Sequence, residues 1–263
     1  MAIKLVASDL DGTLLHSDGA ISARSVRALE AVRAAGLALV FVTARPPRGV
    51  PWLAREAGVG GLAICSNGAL IYDLNTERVV EERPLDGDTI TGLVLELRRR
   101  LAAVAFACEA RLQFCREPHF VSAEALPPDQ VLIADALDFA RMPVAKLMVR
   151  HPQSRPEALF AAVTTAAAGR VAIVGPADLI EISSAGVTKQ STLTELCARL
   201  GVAADEVIAF GDMPNDLGML MWAGRGVAVA NADPEVLAVV GEVTASNDAD
   251  GVALVLESLA QSG

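Results

Sequence analysis

Near the amino terminus the run Asp9-Leu10-Asp11-Gly12-Thr13 sets two carboxylates one residue apart, and such a pair can divide a reaction: one attacks, the other handles a proton. Gly12 permits a sharp turn just beyond them. Two more acids come late, Asp212 and Asp216, in Gly211-Asp212-Met213-Pro214-Asn215-Asp216. Between these runs stand groups suited to an anion: Thr43 in Val42-Thr43-Ala44-Arg45, Ser66 with Asn67, and Lys189 in Gly186-Val187-Thr188-Lys189-Gln190. Asp, Asn, Ser and Thr are ordinary turn and cap residues, so one such group after an apolar run would mean little. Acids gathered on one edge repel each other, however, and a bound cation relieves the repulsion. The pattern predicts a metal site. Lysine is scarce here, three among 22 basic residues, so Lys189 is not generic surface charge. Its place in the first turn of a helix adds backbone amides and a positive dipole end.

Positioning these groups requires strands that end together. Short runs rich in Val, Ile, Leu and Ala alternate with longer helical patterns, which predicts a parallel sheet covered on both faces. Strands are expected at Ile3–Ser8, Leu37–Val42, Leu62–Cys65, Val207–Phe210 and Gly226–Val229. Helices are expected over Ser22–Ala35, around Trp52–Ala57, over Thr188–Leu200 and over Gly251–Leu259, with a hairpin from Ala69–Tyr72 to Arg78–Glu82. Ligands of open parallel sheets bind at the carboxyl ends of strands. Asp9, Thr43, Asn67 and Asp212 all fall there. From 84 to 183 the rhythm changes, with strands read at Ala103–Ala107, Leu112–Arg116, Val144–Val149 and Val171–Val174, the first two adjacent and so antiparallel. The α/β rhythm then resumes. The expected fold is thus α/β, a Rossmann-like core of residues 1–83 and 184–263 with an α+β domain, 84–183, inserted in it.

Composition narrows the partners. A formal charge of −10 opposes a broad nucleic-acid or anionic-membrane surface. The one basic run, Arg98 to Arg100, reads as a solvated helix face. Four scattered cysteines include no CxxC pair, and His16, His119 and His151 lack zinc-ligand spacing. No apolar run approaches membrane-spanning length, and Asp9 interrupts the amino terminus before a signal-length region develops. A reduced, cytoplasmic protein is expected.

Taken together, Asp9-Leu10-Asp11-Gly12-Thr13, Thr43, Lys189, and Asp212 with Asp216 resemble, in order, the motifs of the haloacid-dehalogenase-like superfamily. The resemblance spans the chain. It implies a magnesium-dependent phosphatase in which Asp9 attacks phosphorus to give an aspartyl-phosphate and Asp11 protonates the leaving oxygen, then activates water. Mg2+ would be held by Asp9, the backbone carbonyl of Asp11, and Asp212. Thr43, the amides of Ala44 and Arg45, and Lys189 would bind the phosphoryl group. Asn67 and Asn215 would touch substrate. Asp216 would orient Lys189 or a metal-bound water, although Asn215 and Asp216 also suit a helix cap.

A large insertion after the third strand resembles the Cof-type, or type IIB, sugar-phosphate phosphatases with a C2B cap, as do Ser66-Asn67-Gly68-Ala69 and Ala245-Ser246-Asn247-Asp248-Ala249-Asp250-Gly251. Gln190 and the Ala230-Asn231 pair depart from that subfamily's usual residues. The implied substrate is a small phosphorylated metabolite, a sugar phosphate, acted on by a monomer or homodimer. Trehalose-, sucrose- or mannosylglycerate-phosphate phosphatases and phosphomannomutase-like enzymes share the cap type. A catalytically idle binding protein of the same fold would be expected to lose Asp9, Asp11, Lys189 or Asp212, and all four are present.

Overall fold

The computed structural model describes residues 2–58, 60–122, 126–175 and 179–260. Two compact units emerge, one of residues 1–81 with 188–263 and the other of residues 82–187. The crossings thus fall a few residues outside the boundaries read from the change in rhythm.

In the first unit the strands before the crossing are β1 (Leu5–Ser8), β2 (Ala38–Val42), β3 (Leu62–Cys65), β4 (Leu70–Asp73) and β5 (Arg78–Glu82). After it come β12 (Val207–Gly211), β13 (Arg225–Ala228) and β14 (Glu242–Val243), giving the order β14-β13-β12-β1-β2-β3-β4-β5. All pairs from β14 to β3 are parallel, and β4 turns back antiparallel on β3. β1 is buried along its whole length, as a central strand covered on both faces must be. Register explains the convergence of polar residues. Ser8 lies opposite both Phe41 and Phe210, so β1, β2 and β12 end level and Asp9, Thr43 and Asp212 leave the sheet on one edge.

Helices α1 (Ala23–Ala34), α2 (Pro51–Glu56), α5 (Lys189–Leu200), α6 (Leu217–Trp222), α7 (Pro234–Val239) and α8 (Gly251–Ala260) complete this unit. Ser22 caps α1 by accepting the Ser25 amide, and Thr188 and Ser191 form a reciprocal capping box on α5. Gly201 ends α5 in the left-handed conformation. α6 and α7, six residues each, escape the sequence reading because fewer than two turns show too little periodicity.

The second unit packs α3 (Gly87–Arg100) and α4 (Pro156–Ala167) on a sheet ordered β10-β11-β9-β6-β7-β8. Its strands are β6 (Ala105–Ala110), β7 (Gln113–Arg116), β8 (Val131–Ile133), β9 (Val144–Arg150), β10 (Val171–Val174) and β11 (Ile180–Ser184). Side-chain alternation splits its faces. Phe106, Cys108, Leu147, Val149, Ile180 and Ile182 pack with Ile90, Leu93 and Leu97 of α3, whereas Ala105, Ala107, Phe114 and Met148 pack with Phe120. β8 and β11 are additions to the strands expected from sequence. Arg98 is half-buried and pairs with Glu117 and Asp135, while the more exposed Arg99 and Arg100 pair with Glu96. All four cysteines are buried free thiols. No helix among the described residues is long and apolar enough to cross a membrane.

Candidate active site

The site is built from four strand ends and one helix start. Asp9 follows β1, anchored by its amide to the Phe210 carbonyl at 3.0 Å, and is 4% exposed. Lys189, the first residue of α5, is 2% exposed and donates from Nζ to Asp9 Oδ1 and Asp216 Oδ1, each at 2.7 Å. Asp216 Oδ2 accepts the amides of Asp212 at 3.2 Å and Met213 at 3.0 Å. Asp216 therefore holds both the lysine and the loop that carries Asp212.

Asp212 is buried beside this group, and Thr13 Oγ1 donates to its Oδ1 at 2.9 Å. One oxygen from each of Asp9, Asp212 and Asp216 lies within 4.8 Å of the others. Burial pushes the Asp9 carboxyl up to about 8, the neighbouring Asp216 and Asp212 add to the rise, and Lys189 opposes it. Burial raises Asp212 as well, against the pull of Thr13. Burial would lower Lys189, but Asp9 and Asp216 outweigh it and hold the ammonium charged. Three buried carboxylates thus meet a single ammonium. The donor set is hard oxygen without sulfur or imidazole, which fits a divalent cation such as Mg2+. With both Asp216 oxygens engaged, Asp9 and Asp212 are the carboxylates suited to ligate it.

Gly12 is required where it stands. Its φ is +78°, and a Cβ there would overlap Asp212 Oδ2. Asp11 leaves the chain just before this turn, and its carboxylate lies outside the buried cluster. Arg45 holds it through two bonds, Nε to Oδ2 at 2.8 Å and Nη2 to Oδ1 at 2.6 Å, and the same guanidinium lies 5.8 Å from the Trp52 ring centroid.

Thr43 is fully buried, its Oγ1 accepting the Arg45 amide at 3.0 Å, which leaves the hydroxyl proton to donate elsewhere. The Thr43–Arg45 segment is locked to the turn after β3, where Ser66 N bonds Arg45 O at 2.9 Å and Asn67 N bonds Thr43 O at 3.1 Å. Asn215 Nδ2 donates to Asn67 Oδ1 at 3.0 Å, so these two substrate candidates touch each other. Gly68, at φ +105°, lets this turn press against the start of α5, where a Cβ would overlap the Thr188 carbonyl and where Thr192 Oγ1 reaches Gly68 O at 2.8 Å.

Several residues of this region carry no sequence signal of their own. Thr13 stands out only as part of the acidic motif, and Ser66 only beside Asn67. The Ser66 hydroxyl is buried without a hydrogen-bond partner among the described residues. Removing an unsatisfied buried hydroxyl costs little, so Ser66→Ala should melt at or above the wild-type temperature. A loss of more than about 1 kcal/mol in denaturant unfolding would show that this hydroxyl is satisfied in solution.

Comparison with known proteins identifies the family. The sequence profile of the haloacid dehalogenase-like hydrolases matches residues 6–256. YxeH of Bacillus subtilis is 32% identical over 270 residues, covering 97% of this chain and 98% of its own. Pyridoxal phosphate phosphatase YbhA of Escherichia coli is 28% identical, covering 98% and 99%. Among solved structures, the HAD subclass IIB sugar phosphatase BT4131 superposes with a TM-score of 0.80 at 22% identity, over 97% of this chain and 98% of that one, a likeness of fold. The chain belongs to the haloacid dehalogenase-like hydrolase family, among its phosphatases.

Proposed function

We propose that this enzyme is a Mg2+-dependent phosphatase of small phosphorylated metabolites, sugar phosphates foremost, that works through a phosphoryl group carried transiently on Asp9. The observation that carries this reading is the buried Lys189 ammonium bridging Asp9 and Asp216, with Asp212 beside them. Asp9 attacks phosphorus, so an Asp9 O–P bond forms as the bond to the leaving oxygen breaks. Thr43 Oγ1, the backbone amide of Ala44 and Lys189 hold phosphoryl oxygens, while the Arg45 amide, bonded to Thr43 Oγ1, orients that hydroxyl instead. Asp11 gives its proton to the leaving oxygen and then takes one from the water that cleaves the aspartyl-phosphate. Asp9, Asp212 and the Asp11 carbonyl would hold Mg2+, whose charge offsets repulsion between carboxylate and phosphate.

Arg45 adds a condition to this scheme. Asp11 can act only when its carboxylate is free of the guanidinium, so an arriving anionic group competes for Arg45 and releases the acid. Residues 82–187 are the segment large enough to select the leaving group and to serve as its cap. In this reading Asn67 and Asn215 would contact substrate.

The test is phosphate release from a panel of sugar phosphates, pyridoxal phosphate and an aryl phosphate, with and without Mg2+. Release should require the metal. In the same panel Asp11→Asn should slow sugar phosphates at least about tenfold more than the aryl phosphate, whose leaving group needs less protonation. An equal loss on both would remove Asp11 as the acid, and metal-independent release would remove Mg2+.

A further inference from the structure

We infer that Asn231 is a positioning residue for the metal site, setting the spacing between the Asp9–Thr13 loop and Asp212; this rests on the Mg2+ reading above. Asn231 Nδ2 donates to the Gly12 carbonyl at 2.7 Å, and its Oδ1 accepts the Asn247 amide at 2.9 Å. A turn asparagine ordinarily bonds its own backbone about two residues on. Here the two ends of one amide instead join segments 219 and 16 residues away in sequence.

Those segments matter because of what they carry. Gly12 follows Asp11, the residue whose carbonyl would ligate the ion, and its positive φ places it against Asp212 Oδ2. Two residues beyond Asn231, the Asp233 amide bonds the Asp212 carbonyl at 2.8 Å. The turn around Asn231 therefore grips the Asp9–Thr13 loop by a side chain and the Asp212 loop by its main chain. Asn247 secures the assembly from behind: it is 4% exposed, and its Nδ2 donates to the Leu15 carbonyl at 2.9 Å. His16 and Ser17 continue the same seam, bonded to Asp250 and Asp248. The closing segment 245–251 thus has a physical task, to hold the exit of the nucleophile loop. Only a side chain with a donor and an acceptor on one short amide satisfies both Gly12 O and Asn247 N.

The experiment titrates Mg2+ alone into metal-free protein by calorimetry, and records the metal-free melting temperature, for wild type and Asn231→Ala. Removing a support behind a metal ligand costs about tenfold or more in affinity. Asn231→Ala should therefore weaken Mg2+ binding by about that factor, and extra Mg2+ should recover part of its lost kcat while KM stays within about twofold. If Asn231→Ala melts lower yet binds Mg2+ within about twofold of wild type, Asn231 is merely structural and the inference is wrong. Wild-type protein that binds no Mg2+ would overturn the metal reading itself. Should Asn231→Ala not be recovered folded, Asn231→Ser takes the same two measurements with the same outcomes.

Discussion

Asp9→Asn is expected to lower phosphate release at least about a thousandfold while leaving the protein as stable as wild type or more so. The loss follows from the roles proposed for Asp9, since an amide is neither a nucleophile toward phosphorus nor an anionic ligand. The gain follows from its surroundings. Burial, Asp216 and Asp212 push this carboxyl up to about 8, so the fold works against the ionised form despite Lys189. The sign is fixed by linkage. Below the ordinary carboxylate value of 3.8 Asp9 is protonated folded and unfolded, and contributes nothing. As pH rises from there, the unfolded chain releases the proton and the folded protein keeps it, so stability falls until about pH 8. An Asn at position 9 escapes this fall. The melting temperature of metal-free Asp9→Asn should thus exceed that of wild type by a margin that is absent near pH 4 and widens toward neutrality. Turnover within about tenfold of wild type would remove Asp9 as the nucleophile.

Much of this site is legible in the sequence because its parts sit where buried parallel strands stop. A strand such as β1 is an unbroken apolar run, and the first polar residue after it marks the sheet edge. Lys189 is legible for another reason, its rarity and its place after a capping Thr. What escapes is pairing across sequence distance. Arg45 and Asp11 are 34 residues apart on loops of different strands, and nothing local in either run announces the bidentate pair. Asn231 and Gly12 are a still longer case. In the second unit, β8 was missed because three residues on a sheet edge, two of them exposed, do not form a period. Arg98 misled for the opposite reason: its helix is periodic, but a long guanidinium reaches Glu117 and Asp135 outside that period.

Lys189→Met tests whether the buried lysine serves chemistry, fold or both, and the expected answer is both. Methionine fills a similar volume, so packing is preserved, but Asp9 and Asp216 lose the only ammonium between them. Breaking a buried pair from one side costs about 3–5 kcal/mol, because the charges left behind remain buried. The cost has a pH signature. In wild type the Lys189 pKa is raised, so its stabilising contribution is complete at neutral pH and is lost only in strongly alkaline solution. In the variant Asp9 loses the cation that lowers its pKa, so its carboxyl is held higher still and the stability gap to wild type should widen as pH rises past about 8. The double variant Asp9→Asn, Lys189→Met should be more stable than Lys189→Met alone, since an Asn there has no carboxyl whose ionised form burial disfavours. Turnover of the single variant should fall at least about a hundredfold, for the phosphoryl group loses its fixed cation as well. Urea unfolding at pH 5 and pH 9, with kcat at saturating Mg2+, separates the effects. If Lys189→Met is destabilised equally at both pH values and the double variant is weaker still, the lysine acts through packing, and its charge does not hold Asp9 in place.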